Sequence, residues 1–406
     1  MENSSSGKGK LDWRERFQGE RDWNEVYRRI SWWDTESVGK ATVMVVGAGA
    51  LGNEVLKNLA LLNVGKILIV DFDHIEYSNL SRSVLFREDD VQLKQPKSFI
   101  AAQRIREMNP HVKVMSINGD ILLDVGLGIF RRMDVIIGCL DNRVARLYLN
   151  RHCFKLSKTW IDGALENMHG QMAVYRRDVS CYECQLSDIE NQFIRQRLSC
   201  PDVAMRNSNV GRIPTTPISA SVIGALQAQE ALKVIFKNEK QTMLGKRFEF
   251  EGMNNDFILY ESAHLKEDCL SHSLIDEVIE APDLTCKKTV NELLLWLEKR
   301  FPGQHPKVYL DYEVILSVVG KESQVEKELI IPQPHFSETR AKPYQTAPGE
   351  DLIITDSVRY LDGKFPAQDM TLKELGISEL HILTIETDEG FEFVELTGDL
   401  PHLVFT

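Results

Sequence analysis

The stretch Val45–Asn58, VVGAGALGNEVLKN, decides how this chain folds. Two valines end an apolar run, Gly47, Gly49 and Gly52 form a G-x-G-x-x-G, and a helix-forming pattern starts at once. Glycines at this spacing let the backbone turn tightly and approach a phosphate. The first helical turn offers it free N–H groups and the positive end of a dipole. The stretch therefore predicts a strand, a turn and a helix around a nucleotide. Alone it does not separate a dinucleotide such as NAD from ATP.

Outward from this turn, strand and helix patterns alternate from Lys40 to Cys139. ATVMVVG, KILIVDFD, HVKVMSI and DVIIGC read as buried strands, with helices over Asn53–Leu62 and Lys97–Met108. The pattern predicts an α/β fold with a doubly wound, mostly parallel sheet. A helix over Arg143–Phe154, strands in TWIDGAL and GQMAVYRR, a long helix over Ile218–Phe236 and a strand pair, KRFEFEG and DFILYES, follow. The style changes near Ser273. An amphipathic helix, TVNELLLWLEKRF, precedes short alternating segments such as KVYLDYEVIL and ELHILTIE and a Pro-rich loop. The expected organisation is a disordered N-terminus over 1–10, a nucleotide-binding domain over 11–275 and a smaller α+β domain over 276–406.

With 406 residues, the chain can bury a large core in two or three domains. No apolar run is long enough to span a membrane, and MENSSSGKGK lacks the apolar centre of a signal peptide, so a cytoplasmic protein is expected. The net charge of −12 and the absence of a basic stripe argue against a nucleic-acid partner. They do not argue against ATP, because nucleotide sites build their own local positive field.

A dehydrogenase needs an acidic residue about 20 residues after the glycines and little charge beyond it. Asp71 fits the first condition, but the chain continues DFDHIEYSNLSR and then QPK, supplying Asp73, Asn79, Arg82 and Lys97. GCLDNR adds Asp141 at the carboxyl end of a further strand. Two bases and several acids around one mouth suit a triphosphate with Mg²⁺. Taken singly, Arg82 and Lys97 would be solvated charges and Asp141 a helix cap; only their joint spacing lifts them above those readings.

The ordered set GAGALG, DFD, SNLSR, QPK and LDN, continued by GALQAQEALK, resembles the ThiF/MoeB-type adenylating superfamily, which includes ubiquitin-activating enzymes. The resemblance extends to about residue 275. It implies that Asp71 accepts the ribose hydroxyls, Asp73 and Asn79 line the nucleotide pocket, Arg82 and Lys97 bind phosphates, and Asp141 holds Mg²⁺. VYRRI is similar to the family's N-terminal Y-x-R, which makes Arg29 an arginine finger for a partner subunit's ATP and implies a homodimer. Ser83 departs from the pattern, where the family often has glutamine.

Seven cysteines in a chain without secretory features are metal ligands, nucleophiles or core residues before they are disulfides. Cys181 and Cys184 form C-x-x-C, and Cys269 and His272 form C-x-x-H. Two short-spaced pairs suit a closed tetrahedral Zn²⁺ site, with His264 as a rival to His272. The family has such a site, usually with four cysteines. Cys200 lies in a polar, turn-rich stretch flanked by Arg206 and Arg212, where the family's thiol-using members carry their nucleophile. Cys139 and Cys153 read as core, and Cys286 has no evident role.

The tail MTLKELGISELHILTIETDEGFEFVEL resembles the end of a ubiquitin-like β-grasp fold, with a generic α+β domain as the alternative. The resemblance as a whole implies an enzyme that adenylates the C-terminal carboxylate of a ubiquitin-like protein, forms a thioester on Cys200 and passes it to a conjugating enzyme docked on the C-terminal domain. Activating enzymes of bacterial ubiquitin-like conjugation operons, some serving in antiviral defence, have this compact form. The rivals are a sulfur-carrier adenylyltransferase, a nicotinamide-dependent oxidoreductase and a non-catalytic scaffold, against which Arg82, Lys97 and Asp141 argue.

Overall fold

The structure, a computed structural model, describes residues 22–187, 189–190, 214–262, 264–336, 342–346 and 349–405. Eight strands form the first sheet: β1 (Thr42–Val46), β2 (Lys66–Val70), β3 (Lys113–Ile117), β4 (Val135–Gly138), β5 (Trp160–Glu166), β6 (His169–Tyr175), β7 (Lys246–Glu251) and β8 (Asp256–Glu261). Their order is β3-β2-β1-β4-β5-β6-β7-β8. The first five are parallel and the last three are added antiparallel. β1 is apolar throughout because both its faces are covered. Val43 and Val45 join the core beneath helices α2 (Ala50–Leu61), α5 (Lys97–Met108) and α9 (Pro217–Ile235), while Met44 and Val46 join the core beneath α6 (Leu127–Arg131) and α7 (Arg143–Lys155). Such double coverage is what a near-continuous apolar run in a parallel sheet signifies. Short helices α1 (Thr35–Lys40), α3 (Tyr77–Leu80), α4 (Glu88–Gln92) and α8 (Tyr182–Gln185) complete this part. The helix after the glycine turn begins at Ala50, three residues before the pattern suggested, because Gly49 serves as its N-cap.

A second sheet follows. It holds β9 (Ile279–Glu280), β10 (Lys307–Gly320), β11 (Glu326–Pro332), β12 (Leu352–Leu361), β13 (Ile382–Thr387) and β14 (Gly390–Glu395). The two-residue β9 runs parallel to the closing strand β14, and the other pairings are antiparallel. Helix α10 (Val290–Arg300) starts in a capping box between Thr289 and Glu292 and packs its leucines over Val308, Ile385 and Val394. Cys286 is fully buried in this core and donates its backbone N–H to Asp399 at 2.8 Å.

The two sheets are joined by close contacts. Gly128 donates its N–H to Leu380 O at 2.8 Å. A Cβ on Gly128 would lie 2.1 Å from Glu395 Oε1, and one on Gly126 would lie 2.3 Å from Glu379 O. These glycines let the second unit's backbone reach α6. Glu395, with no side-chain exposure, pairs there with Arg132 and, at 3.1 Å, with Arg131. Leu380, Leu403 and Phe405 extend the core beneath α6 and α7.

Candidate functional site

The strand order reverses between β1 and β4, and a crevice opens outside the carboxyl ends of those strands. The glycine turn fills one side of it. Gly47 has φ +97°, and a Cβ there would lie 2.3 Å from Cys139 O, at the end of β4. A Cβ on Gly52 would lie 1.9 Å from Gly47 O, so this glycine lets α2 start directly against the turn. Gly49 differs: a Cβ on it would meet no atom of the described residues within 4 Å. No side chain caps α2, so the first N–H groups of this twelve-residue helix face the crevice with its positive dipole end.

Asp71 braces the turn. Its Oδ2 accepts from Ala48 N at 2.6 Å and its Oδ1 from Asp73 N at 2.8 Å. Burial pushes its carboxyl above the usual range, and Lys97 opposes that shift. Asp73 pairs with Lys97 Nζ at 2.7 Å, and Lys97, the first residue of α5, is only 10% exposed in its side chain. Lys97 is therefore no solvated surface charge. Asn79 is buried and accepts from Glu76 N at 2.9 Å, fixing the segment that carries Arg82, whose N–H donates to Asn79 O. Arg82 is half-buried and makes no ion pair among the described residues. Ser83 beside it has a buried hydroxyl with no hydrogen-bond partner among the described residues, a cost that a bound polar group would offset. Asp141 is exposed at the opposite lip. It does not cap α7: Asn142 does, accepting from Ala145 N at 2.7 Å.

The crevice thus gathers the glycine turn, Asp71, Asp73, Lys97 and the end of β4, with Asn79 fixing the Arg82 segment close by. These residue types could hold a nucleoside triphosphate, and the exposed Asp141 carboxylate could hold Mg²⁺. Arg29 is not part of the chain's own crevice. It sits in a short turn, Tyr27–Arg29, paired with Glu25 at 2.6 Å. Trp23 and Tyr27 fasten this turn to Leu61 O, the end of α2. That end is about 18 Å from the glycine turn at about 1.5 Å per residue. Cys200, Arg206 and Arg212 lie outside the described residues.

Sequence reading missed two side chains behind the crevice. Buried Arg146 pairs with Asp162 at 3.0 Å and donates to Leu140 O, holding the Asp141 loop. Gln227 of α9 donates to Gly138 O at 3.0 Å and to Ile161 O at 3.3 Å, buttressing the ends of β4 and β5. A charged residue among the apolar positions of RVARLYL was the available signal for the first.

Cys181, Cys184, Cys269 and His272 come together, with ligand atoms all within 4.8 Å of one another. Cys181 Sγ lies 3.5 Å from Cys184 Sγ and 3.7 Å from Cys269 Sγ, and Cys184 Sγ lies 3.3 Å from His272 Nε2. A tetrahedral zinc with Zn–S bonds of about 2.3 Å spaces its sulfurs about 3.8 Å apart, so the set fits that ion. The hydrogen bond from Cys181 holds the Cys184 thiol below the usual thiol range. His272, not His264, completes the set. Cys153 is buried in the core, and Cys139 is half-buried with its thiol 3.8 Å from Gln227 Oε1.

The ThiF family model matches residues 25–271, more than half of the chain. The chain belongs to the ThiF family. Curated relatives that match it are named adenylyltransferases, and none of those described below is named an oxidoreductase. A molybdopterin-synthase adenylyltransferase of Salmonella typhimurium is 30% identical over 57% of this chain and 87% of its own length. An adenylyltransferase and sulfurtransferase MOCS3 of Culex quinquefasciatus is 31% identical over 58% of this chain but only 50% of its own length. The SUMO-activating enzyme subunit uba-2 of Caenorhabditis elegans is 30% identical over 47% of this chain and 32% of its own length. The chain thus spans half or less of two of these relatives. Among solved structures, the microcin C7 biosynthetic enzyme MccB, in complex with N-formylated MccA, shares the ThiF-like fold with a TM-score of 0.50, 22% identity and coverage of 63% of this chain and 77% of that one. No helix among the described residues is long and apolar enough to cross a membrane.

Proposed function

We propose that this ThiF-family chain uses ATP to adenylate the C-terminal carboxylate of a ubiquitin-like protein, captures the acyl group as a thioester on Cys200 and hands it to a conjugating enzyme. The observation that carries the first step is the bare Gly49 at the head of an uncapped helix, with buried Lys97 and half-buried Arg82 close by. The carboxylate oxygen attacks the α-phosphorus, the bond from that phosphorus to the bridging oxygen breaks, and pyrophosphate leaves with the electron pair. Lys97, Arg82 and the N–H groups of α2 offset the charge on the phosphate oxygens, and Mg²⁺ bound at Asp141 would add Lewis-acid charge neutralisation. Thiolate attack by Cys200 on the acyl carbon then expels AMP.

Arg29 acts on a partner subunit's nucleotide, since α2 separates it from its own. Exposed Val26 and Trp32 beside it give a homodimer an apolar surface to bury. Zinc held by Cys181, Cys184, Cys269 and His272 staples the loop after β6 to the end of the adenylation domain at about residue 275. The C-terminal domain, 276–406, recruits the conjugating enzyme. The parallel pairing of β9 with β14 beneath a single helix supports its ubiquitin-fold reading, whereas the long β10–β12 ladder is additional.

One observation favours a second reading. The Salmonella relative, 87% of which this chain covers, is a molybdopterin-synthase adenylyltransferase. A sulfur-carrier substrate would use the same adenylation step and no conjugating enzyme. The test is a gel of protein, ATP·Mg²⁺ and a ubiquitin-like protein encoded nearby, run with and without reductant. A reductant-sensitive adduct that Cys200→Ala abolishes while sparing pyrophosphate exchange supports the thioester route. Exchange without any adduct supports the sulfur-carrier route.

A further inference from the structure

The four zinc-ligand residues come from two segments far apart in sequence, and a buried polar strap ties those segments together independently of the ligands. Glu183 lies between Cys181 and Cys184, and Ser271 lies between Cys269 and His272. Ser271 Oγ donates to Glu183 Oε2 at 2.6 Å and accepts from Asn150 Nδ2 at 2.8 Å. Asn150 Oδ1 accepts from Tyr182 N at 2.8 Å and from Trp160 Nε1 at 3.3 Å. Arg151 donates to Glu183 from Nη2 at 3.0 Å. Asn150, Glu183 and Ser271 are at most 5% exposed. Phe154, one turn further along α7, stacks on the His272 ring at 4.4 Å between centroids and 13° between planes. One face of α7 therefore grips both ligand segments and orients the imidazole.

We infer that Asn150, Glu183 and Ser271 are positioning residues that hold Cys181, Cys184, Cys269 and His272 at coordination distance before the metal arrives, and so set how tightly and how long zinc is held. This rests on the zinc reading of the cluster. The physical reason is preorganisation. Two loops that must be brought together on binding lose conformational freedom at that moment, whereas loops already joined do not. The strap's buried Glu183 charge has Arg151 and the Ser271 hydroxyl to satisfy it, so the join is itself a closed network rather than an isolated buried acid. Outer partners of metal ligands elsewhere change metal affinity by about 10- to 100-fold when removed.

The experiment uses the full chain. Zinc content is measured first, then the rate of zinc release to a chromogenic chelator, for the wild type, Ser271→Ala and Glu183→Gln. Cobalt(II) is substituted in parallel, because its ligand-field absorption reports tetrahedral geometry. The inference predicts one zinc per chain, release at least about 10-fold faster in Ser271→Ala, a weakened or shifted cobalt spectrum, and a smaller effect in Glu183→Gln, which keeps the acceptor for Ser271 but loses the charge facing Arg151. If Ser271→Ala does not fold, faster release from Glu183→Gln carries the same conclusion. Wild-type zinc with unchanged release and cobalt spectra in the folded variants overturns the strap while leaving the zinc site standing. Absence of zinc from the wild-type chain overturns both.

Discussion

Gly49 and Gly52 separate two reasons for a glycine, and alanine at each should fail differently. At Gly52 the added Cβ falls 1.9 Å from Gly47 O and 2.9 Å from Gly47 C. Both obstacles are backbone, so no side chain can swing away, and turn and helix must part by roughly 1 Å in a close-packed interior. Overpacking of this kind costs about 1–3 kcal/mol of stability. A misplacement of about 1 Å in a group that positions substrate costs about 10²-fold in rate. Gly52→Ala should therefore lower both the unfolding midpoint and ATP–pyrophosphate exchange. At Gly49 no atom of the described residues lies within 4 Å of the new Cβ, and φ is −74°, which alanine adopts freely. The loss there is a helix N-cap preference of about 1 kcal/mol or less, so the fold should survive. The methyl group instead stands where the phosphate approaches, and nucleotide affinity should fall at least about tenfold, or about 1.4 kcal/mol. Thermal unfolding and calorimetric titration with a non-hydrolysable ATP analogue read the two effects apart. Wild-type nucleotide affinity in Gly49→Ala would refute the claim that this turn cradles phosphate.

Lys97→Met should reduce carrier-dependent pyrophosphate exchange by about 10²-fold, mainly through the rate at saturating ATP, because the ammonium offsets charge that develops in the transition state; an unchanged rate in the exchange assay would return Lys97 to a purely structural pairing with Asp73. Burial holds His152 down to about 3 and His381 down to about 4 where α7 meets the second sheet, with Lys155 adding to both and Asp311 opposing. Unfolded histidines titrate near 6.5, so the unfolded chain binds more protons between about pH 4 and 6.5. Stability should rise with pH across that window by up to about 1.4 kcal/mol per unit for each histidine. Denaturant melts at stepped pH check this, and His152→Phe should flatten the slope. Glu395→Ala removes the carboxylate that Arg131 and Arg132 share between the two sheets, while Arg131 keeps Glu280 and Arg132 keeps Gly128 O; limited proteolysis should then cut between the two sheets, near residue 275, sooner than in the wild type.

The sequence revealed the parallel half of the fold because its signals are local. The helix Lys97–Met108 has the same bounds in the pattern and in the structure, and the alternation of apolar runs with helices fixed strands β1 to β5. Strands β11 and β12 were not singled out. Both pair with β10, across register shifts around Ile315 and Ser317 that no local pattern in either strand announces. Gly126 and Gly128 carried no signal in the sequence, and only the approach of Glu379, Leu380 and Glu395 explains them. In the site, the charges were legible as a set while their partners were not. That Asp71 braces Ala48, that Lys97 pairs with Asp73 and that Asn142 rather than Asp141 caps α7 depend on distances no spacing rule supplies. The Cys/His cluster was readable because its two short-spaced pairs are themselves local, whereas the strap joining them crosses from α7 to two distant loops.

The measurement that bears most directly on the central claim is ATP–[³²P]pyrophosphate exchange with the purified chain, Mg²⁺ and a small ubiquitin-like protein ending in glycine. The account predicts exchange that requires the small protein, disappears when its last glycine is removed, and collapses in Gly49→Ala and Lys97→Met. Exchange that proceeds equally without the carrier tail, or intact exchange in both variants, would contradict it.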